Sequence, residues 1–145
     1  MQKVLVVIDM QNDFVDGALG SSQAQLIVDN VRKKIESFDG PIIFTRDTHD
    51  RDYLEHQEGK LLPVPHCVKN TEGWHIVDGL IEAAEGRSIM SPVSFVDKPN
   101  FASFELLTRL EGMDKVNPIE SITLIGFCND TVSYTHLTLP TKCRV

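Results

Sequence analysis

Asp47 and His49 stand two residues apart directly after the apolar run Pro41-Ile42-Ile43-Phe44, and His66 follows across one polar loop. Along an extended chain, residues two apart point to the same side. Both side chains can therefore enter one crevice at the carboxyl end of a strand, where open α/β sheets place their sites. Two imidazoles and a carboxylate suit zinc, iron or manganese, and they leave coordination positions for water or substrate. The plain alternative is three polar residues on a solvated loop.

Such a crevice needs strands that end together. Val4-Leu5-Val6-Val7-Ile8 is a continuous apolar run closed by Asp9, which predicts a strand buried on both faces of a parallel sheet. Ser21 and Ser22 can cap a helix that runs to Phe38, and Asp39-Gly40-Pro41 stops it. A second strand is predicted over 42–45, followed by a polar loop over 46–71 that is longer than most connections. A helix over 74–84, an extended segment over 88–96 with Pro92 marking an edge or bend, a helix over 103–110 and a strand over 121–125 complete the pattern. Alternating strands and helices imply right-handed β-α-β units. The expected class is α/β, a three-layer, mostly parallel sheet with helices on both faces.

Length and composition narrow the partners. At 145 residues, with 41% hydrophobic and 24% charged residues, the chain suits one globular domain with its own core. A formal charge of -7 argues against nucleic acid or an anionic membrane and in favour of a small molecule. No apolar stretch is long enough to span a bilayer, and Asp9 interrupts the first hydrophobic run, so neither a membrane anchor nor a leader is expected. A cytoplasmic location follows as an expectation. Cys67, Cys128 and Cys143 are odd in number and irregularly spaced, which predicts reduced thiols.

Asp9, the Asp47/His49 pair, Lys98 and the Gly126-Phe127-Cys128 turn all fall at or just past the ends of successive predicted strands. In a parallel sheet those ends share one edge. There Asp9 could accept a proton, while Lys98 keeps it ionised and stabilises developing negative charge. Taken singly, Asp9 could equally be a turn cap and Lys98 a surface lysine.

Together these segments resemble the isochorismatase-like cysteine hydrolases, and among them the nicotinamidase branch. VVIDMQNDF resembles the family's first strand with its catalytic aspartate, which makes Asp9 the counterpart and implies a substrate-pocket position for Phe14. FTRDTHDRDYLEHQEGKLLPVPHCVKNTEGW is similar to the metal loop, so the resemblance implies Asp47, His49 and His66 as ligands. Asn70 stands where HCVKNTEG would usually carry a glycine. Members differ in whether a histidine or a glutamate completes the site; His56 and Glu58 both qualify, and the run Gln57-Glu58-Gly59-Lys60-Leu61 favours Glu58. His75 is expected on the following helix in a structural role. SFVDKPNFASF is similar to the segment of the catalytic lysine, which is Lys98, followed by an aromatic-rich turn over 101–104. The resemblance implies a divalent metal, a small amide substrate such as nicotinamide, thiolate attack with loss of ammonia, and a homo-oligomeric parent protein. Alternatives are another amide or carbamoyl hydrolase on the same scaffold, or a pseudoenzyme that binds metal or ligand without turnover.

Family members place the nucleophilic cysteine in a turn of the form Gly-Val-x-Thr-Asp-x-Cys. Here the sequence is Gly126-Phe127-Cys128-Asn129-Asp130-Thr131-Val132, so Val132 occupies the nucleophile position. The resemblance puts Phe127 and Cys128 in the turn where the family has a cis peptide and oxyanion-hole amides. Thiol chemistry is accordingly not expected of the chain as written. The run from Val132 to Thr141 is also the translation of GTC TCT TAT ACA CAT CTG ACG CTG CCG ACG, part of a common transposase sequencing adapter. The expectation is therefore a hydrolase domain over 1–130, incomplete at its C-terminus, with a non-native tail over 131–145. An unprotected sheet edge and poor solubility would follow.

Overall fold

A computed structural model describes residues 1–99 and 104–127, together with the backbone of 141–144. Five strands form one parallel sheet in the order β3-β2-β1-β4-β5: β1 (Gln2–Ile8), β2 (Ile42–Asp47), β3 (Val93–Lys98), β4 (Ile119–Gly126) and β5 (Thr141–Arg144). The chain steps outward from β1 to β2 to β3, then returns to lay β4 on the other side of β1. A sheet built in this order opens a crevice beyond its carboxyl ends, where neighbouring connections part.

Alternation along β1 divides the core in two. Leu5 and Val7 face a layer that includes Val15 of α1 (Asn12–Val15), Val31 and Ile35 of α2 (Ser22–Ser37) and Leu80 and Ala84 of α4 (Leu80–Glu85). Val4, Val6 and Ile8 face Leu106 and Leu110 of α5 (Phe104–Val116). Every residue from Val4 to Ile8 is nearly or wholly buried, as a strand with helices on both faces requires. The fold is thus the three-layer α/β arrangement expected from the run lengths.

Several boundaries differ from the sequence expectation, each for a local reason. Ser21 caps α2 as expected, accepting the Ala24 N–H at 3.0 Å. The helix expected over 74–84 begins only at Leu80, because 75–77 are engaged elsewhere: Ile76 bridges Gln11, and Val77 N–H donates to the Met10 carbonyl at 2.9 Å. Gly79 then turns the chain at φ 90°. His75 is consequently on no helix and is exposed. Strand β3 starts at Val93, after Pro92, and runs to Lys98 rather than stopping at 96. Helix α5 continues to Val116, where Asp114 Oδ1 accepts the Ile119 N–H at 2.7 Å and the chain enters β4. The loop over 46–71 is not structureless either; it holds a 3-10 turn, Tyr53–Glu55, and α3 (Gln57–Leu61). The outer side of β4, expected bare, is paired by β5 from Ile122↔Thr141 to Ile125↔Arg144.

Gly126 ends β4 at φ 101°, with the Ile8 carbonyl oxygen where a Cβ would stand. The following Phe127 N–H donates to that same oxygen at 3.0 Å. Gly126→Ala therefore combines a left-handed backbone with a steric conflict. We expect a loss of at least about 2 kcal/mol in urea unfolding; an unchanged midpoint would contradict the placement of this turn.

Candidate active site

Strand β1 delivers Asp9 to the crevice, and the backbone there turns to φ 51°, a left-handed conformation that aspartate enters more readily than most residues. Thr45, on β2, holds the turn: its carbonyl and Oγ1 both accept from Asp9 N–H at 3.2 Å, and its hydroxyl donates to Asp9 Oδ1 at 2.7 Å. Lys98, at the end of β3, donates to Asp9 Oδ2 at 2.7 Å. Both charged groups are buried. Burial pushes the Asp9 carboxyl above the ordinary carboxylate range, while the Lys98 ammonium and the Thr45 hydroxyl oppose that shift. The result is a paired carboxylate of raised basicity, which suits a proton acceptor.

Extension of β2 to Asp47 puts that residue in register with Lys98, so a second acidic group lies on the next strand. Around it gather His49, Glu58 and His66, one ligand-type atom from each of the four lying within 4.8 Å of the others. His49 Nε2 is 3.0 Å from Asp47 Oδ2, His66 Nε2 is 3.4 Å from the same oxygen, and His49 Nε2 is 3.7 Å from Glu58 Oε1. Ligands about 2.1 Å from a tetrahedral ion lie about 3.4 Å apart, so the group needs only small adjustment to close on one.

Two further observations test whether these residues fit a cation. Glu58 Oε1 is buried with no hydrogen-bond partner, an acceptor that costs free energy unless something positive meets it. His66 Nδ1 is 2.7 Å from the Val64 carbonyl, which assigns a proton to Nδ1 and turns Nε2 to the cluster, where it donates to Asp47 when the ring is charged and offers a lone pair to a cation when it is neutral, as is usual for a ligating histidine. Burial pushes the Asp47 carboxyl up, but hydrogen bonds from His49 and His66 outweigh it and hold its pKa at about 2. Burial opposes charge on His66, yet the bonds to Asp47 and Val64 raise its pKa above the ordinary value. The donor set is a hard and borderline one, two imidazole nitrogens and two carboxylate oxygens without sulfur, as zinc, iron or manganese accept.

The loop carrying these groups is fixed from three sides. His49 N–H donates to the Cys67 carbonyl at 3.0 Å and Lys69 N–H to the His49 carbonyl at 2.9 Å, so the two ligand-bearing segments pair like short strands. Cys67 and Asn70 adopt φ 48° and 66°. Asparagine tolerates that conformation better than most residues, so Asn70 can make the turn a glycine would. Tyr53 packs its ring against both imidazoles, with centroids 4.6 Å from His49 and 5.1 Å from His66. Trp74 Nε1 donates to Thr48 Oγ1 at 2.9 Å, and its indole is covered by the Arg46 guanidinium at 4.3 Å, which also faces the Phe95 ring and pairs with Asp97 at 2.6 Å.

Of the residues singled out by sequence, Asp9 and Lys98 meet as an ion pair, and Asp47, His49, Glu58 and His66 meet beside it. His56 points away: it is exposed and lies 3.2 Å from Asp52, which leaves Glu58 as the fourth member of the cluster. Phe14 sits edge-on to His66 at 5.5 Å and 5.8 Å from Phe127, between the cluster and the turn after β4. Cys128 and Val132 lie outside the described residues, as do residues 101–103.

Two contributors had no sequence signal. Gln11 is fully buried, with its side-chain amide bonded to the backbone of Asp47 and Trp74. Asp13 Oδ2 accepts the Cys67 N–H at 2.8 Å, and a Cβ on Gly73 would strike that carboxylate. Both lie in a polar stretch where nothing in the spacing separates a buried support from a solvated side chain.

Residues 3–136 match the isochorismatase domain, and the chain belongs to the isochorismatase family. Among solved structures it is similar to the nicotinamidase/pyrazinamidase of Bacillus subtilis, with 32% identity, a TM-score of 0.66 and coverage of 88% of this chain and 72% of that one. N-carbamoylsarcosine amidase from Thermoplasma acidophilum is similar at 29% identity and TM-score 0.65, covering 87% and 68%. The pyrazinamidase of Pyrococcus horikoshii in complex with zinc is similar at 26% identity and TM-score 0.61, covering 87% and 70%. Among the described residues no helix is long and apolar enough to cross a membrane.

Proposed function

We propose that this chain carries the metal-holding and proton-accepting half of a nicotinamidase-type amide hydrolase, and that it binds a small carboxamide without turning it over. The observation that carries this reading is the buried Asp9–Lys98 pair beside four convergent ligand groups on a single sheet edge. A divalent ion held by Asp47, His49, Glu58 and His66 would supply a Lewis-acid contact for a ring nitrogen or a water. Zinc is the first choice of ion, supported by the zinc complex of the similar pyrazinamidase and by the donor set.

Asp9 is the proton acceptor in this reading. Its raised basicity lets it take a proton from a nucleophile presented above Oδ2, and Lys98 stabilises the negative charge that then develops on the substrate oxygen. Phe14 supplies an apolar wall for a flat ring, packed between His66 and Phe127. In a relative with cysteine at the place of Val132, the thiolate attacks the carboxamide carbon, ammonia leaves, and water resolves the thioester. With valine there, no atom can form that bond, and the rate falls by several orders of magnitude.

Purified chain loaded with zinc should bind nicotinamide in calorimetry and release no ammonia above the uncatalysed background. Ammonia release at an ordinary enzymatic rate would overturn the assignment of Val132. Absence of any carboxamide binding by zinc-loaded protein would overturn the substrate class. The similarity to N-carbamoylsarcosine amidase makes a carbamoyl compound the second ligand to titrate.

A further inference from the structure

Strand β1 stops pairing with β2 at Ile8↔Thr45, and Asp9 turns away from the sheet. Asp47, two residues further along β2, still has Lys98 of β3 beside it on one side, but β1 no longer reaches it on the other. A side chain stands in for the missing strand. Gln11 Oε1 accepts the Asp47 N–H at 2.8 Å, and Gln11 Nε2 donates to the Asp47 carbonyl at 2.8 Å. The second hydrogen on Nε2 goes to the Trp74 carbonyl, also at 2.8 Å.

A carboxamide has the donor and acceptor pattern of a peptide group, so this one side chain completes the sheet for one more residue. Its own backbone bridges Ile76, and the whole residue is without solvent exposure. Three segments are thereby joined at one buried amide: the strand end that carries Asp9, the strand end that carries Asp47, and the turn that ends at Trp74.

We infer that Gln11 is a positioning residue for the cation site, fixing the backbone of Asp47 so that its carboxylate stands ready before an ion arrives. The inference rests on the proposal that the Asp47 cluster holds a divalent cation, and it extends it. Gln11 touches neither ion nor substrate. It allows β1 to peel away and open the crevice in front of Asp9 without releasing Asp47, whose backbone would otherwise be left with buried, unpaired groups. Outer-shell hydrogen bonds of this kind are worth about ten- to a hundredfold in metal affinity.

The test uses Gln11→Asn, whose amide is one methylene too short to reach Asp47, and Gln11→Met, which keeps the bulk but no hydrogen bond. Zinc affinity is measured by competition with a chelating dye, and the visible d–d spectrum is recorded after cobalt loading. We expect affinity to fall about ten- to a hundredfold and the cobalt band to shift, since a ligand that is no longer held changes the geometry. A variant that melts cooperatively and binds zinc with unchanged affinity and cobalt spectrum would show that Gln11 only fills space. Wild-type protein that binds neither ion would instead remove the metal proposal and leave Gln11's contacts as they are. Amide exchange in metal-free wild-type protein decides the matter even if both variants fail to fold. Asp47 N–H, donated to Gln11, should exchange as slowly as the interior of β2; exchange at the rate of an open loop would sink the inference.

Discussion

Lys98→Met should lower the unfolding free energy by about 3–5 kcal/mol at pH 7, the usual cost of stranding one member of a buried ion pair. The charge left behind is Asp9, held at the end of β1, where among the described residues Thr45 bonds its Oδ1 and its backbone N–H. The deficit should shrink as pH falls. Burial already raises the Asp9 pKa, and without the ammonium it rises further, so acid protonates the folded state before the unfolded one and favours the fold. The double variant Asp9→Leu, Lys98→Met should recover most of the loss, because an apolar pair of similar volume is often as stable as a buried ion pair. Urea titrations at pH 7 and pH 5 check all three statements. A single variant as stable as the parent at pH 7 would mean that Asp9 and Lys98 do not share a buried contact.

That ion pair also shows what can be read from the chain before any coordinates. The apolar run 4–8 ending in an acid, and the segment ending in Lys98, place opposite charges at parallel strand ends, and parallel ends share an edge by construction. Asp47 and His49 are legible for the same reason: a period of two aligns side chains. His66 and Glu58 depend on the path of a long loop, so His66 can be read only as a candidate third ligand beyond that loop, and Glu58 only through its similarity to a family motif. Gln11 and Asp13 could not be read at all, because a buried side-chain amide and a half-buried carboxylate that serve backbone groups leave no periodic trace. The late start of α4 is a tertiary effect of the same kind. Residues 75–77 have helical company in sequence, yet pairing with 10–12 claims their backbone first.

Zinc at about a thousandfold excess over its dissociation constant should raise the unfolding free energy by about 4 kcal/mol through linkage alone, and Asp47→Ala should abolish that gain. The pH dependence separates the loaded and metal-free forms. Without metal, the raised pKa of His66 contributes stability that is fully present below the ordinary histidine value and is lost as pH rises through the raised one. Asp47, held at about 2, contributes stability above the ordinary carboxylate value that is lost as pH falls toward 2. Metal-free protein should therefore melt lower as pH climbs past the ordinary histidine range. Zinc-loaded protein should show the opposite trend there, because loading requires neutral imidazoles, and apparent affinity grows about tenfold per pH unit for each proton displaced. Parallel melting curves with and without zinc across that range would contradict the ligand assignment.

Trp74 is the chain's single tryptophan, and it is placed where it can report on this chemistry. Its indole lies under the Arg46 guanidinium and donates to Thr48, the residue between Asp47 and His49. Emission of the whole protein is thus dominated by one fluorophore sandwiched against the ligand-bearing strand end. Any loosening of that strand end changes the polarity and quenching around the ring, so the molecule carries a built-in optical gauge of its own crevice, free of any attached dye.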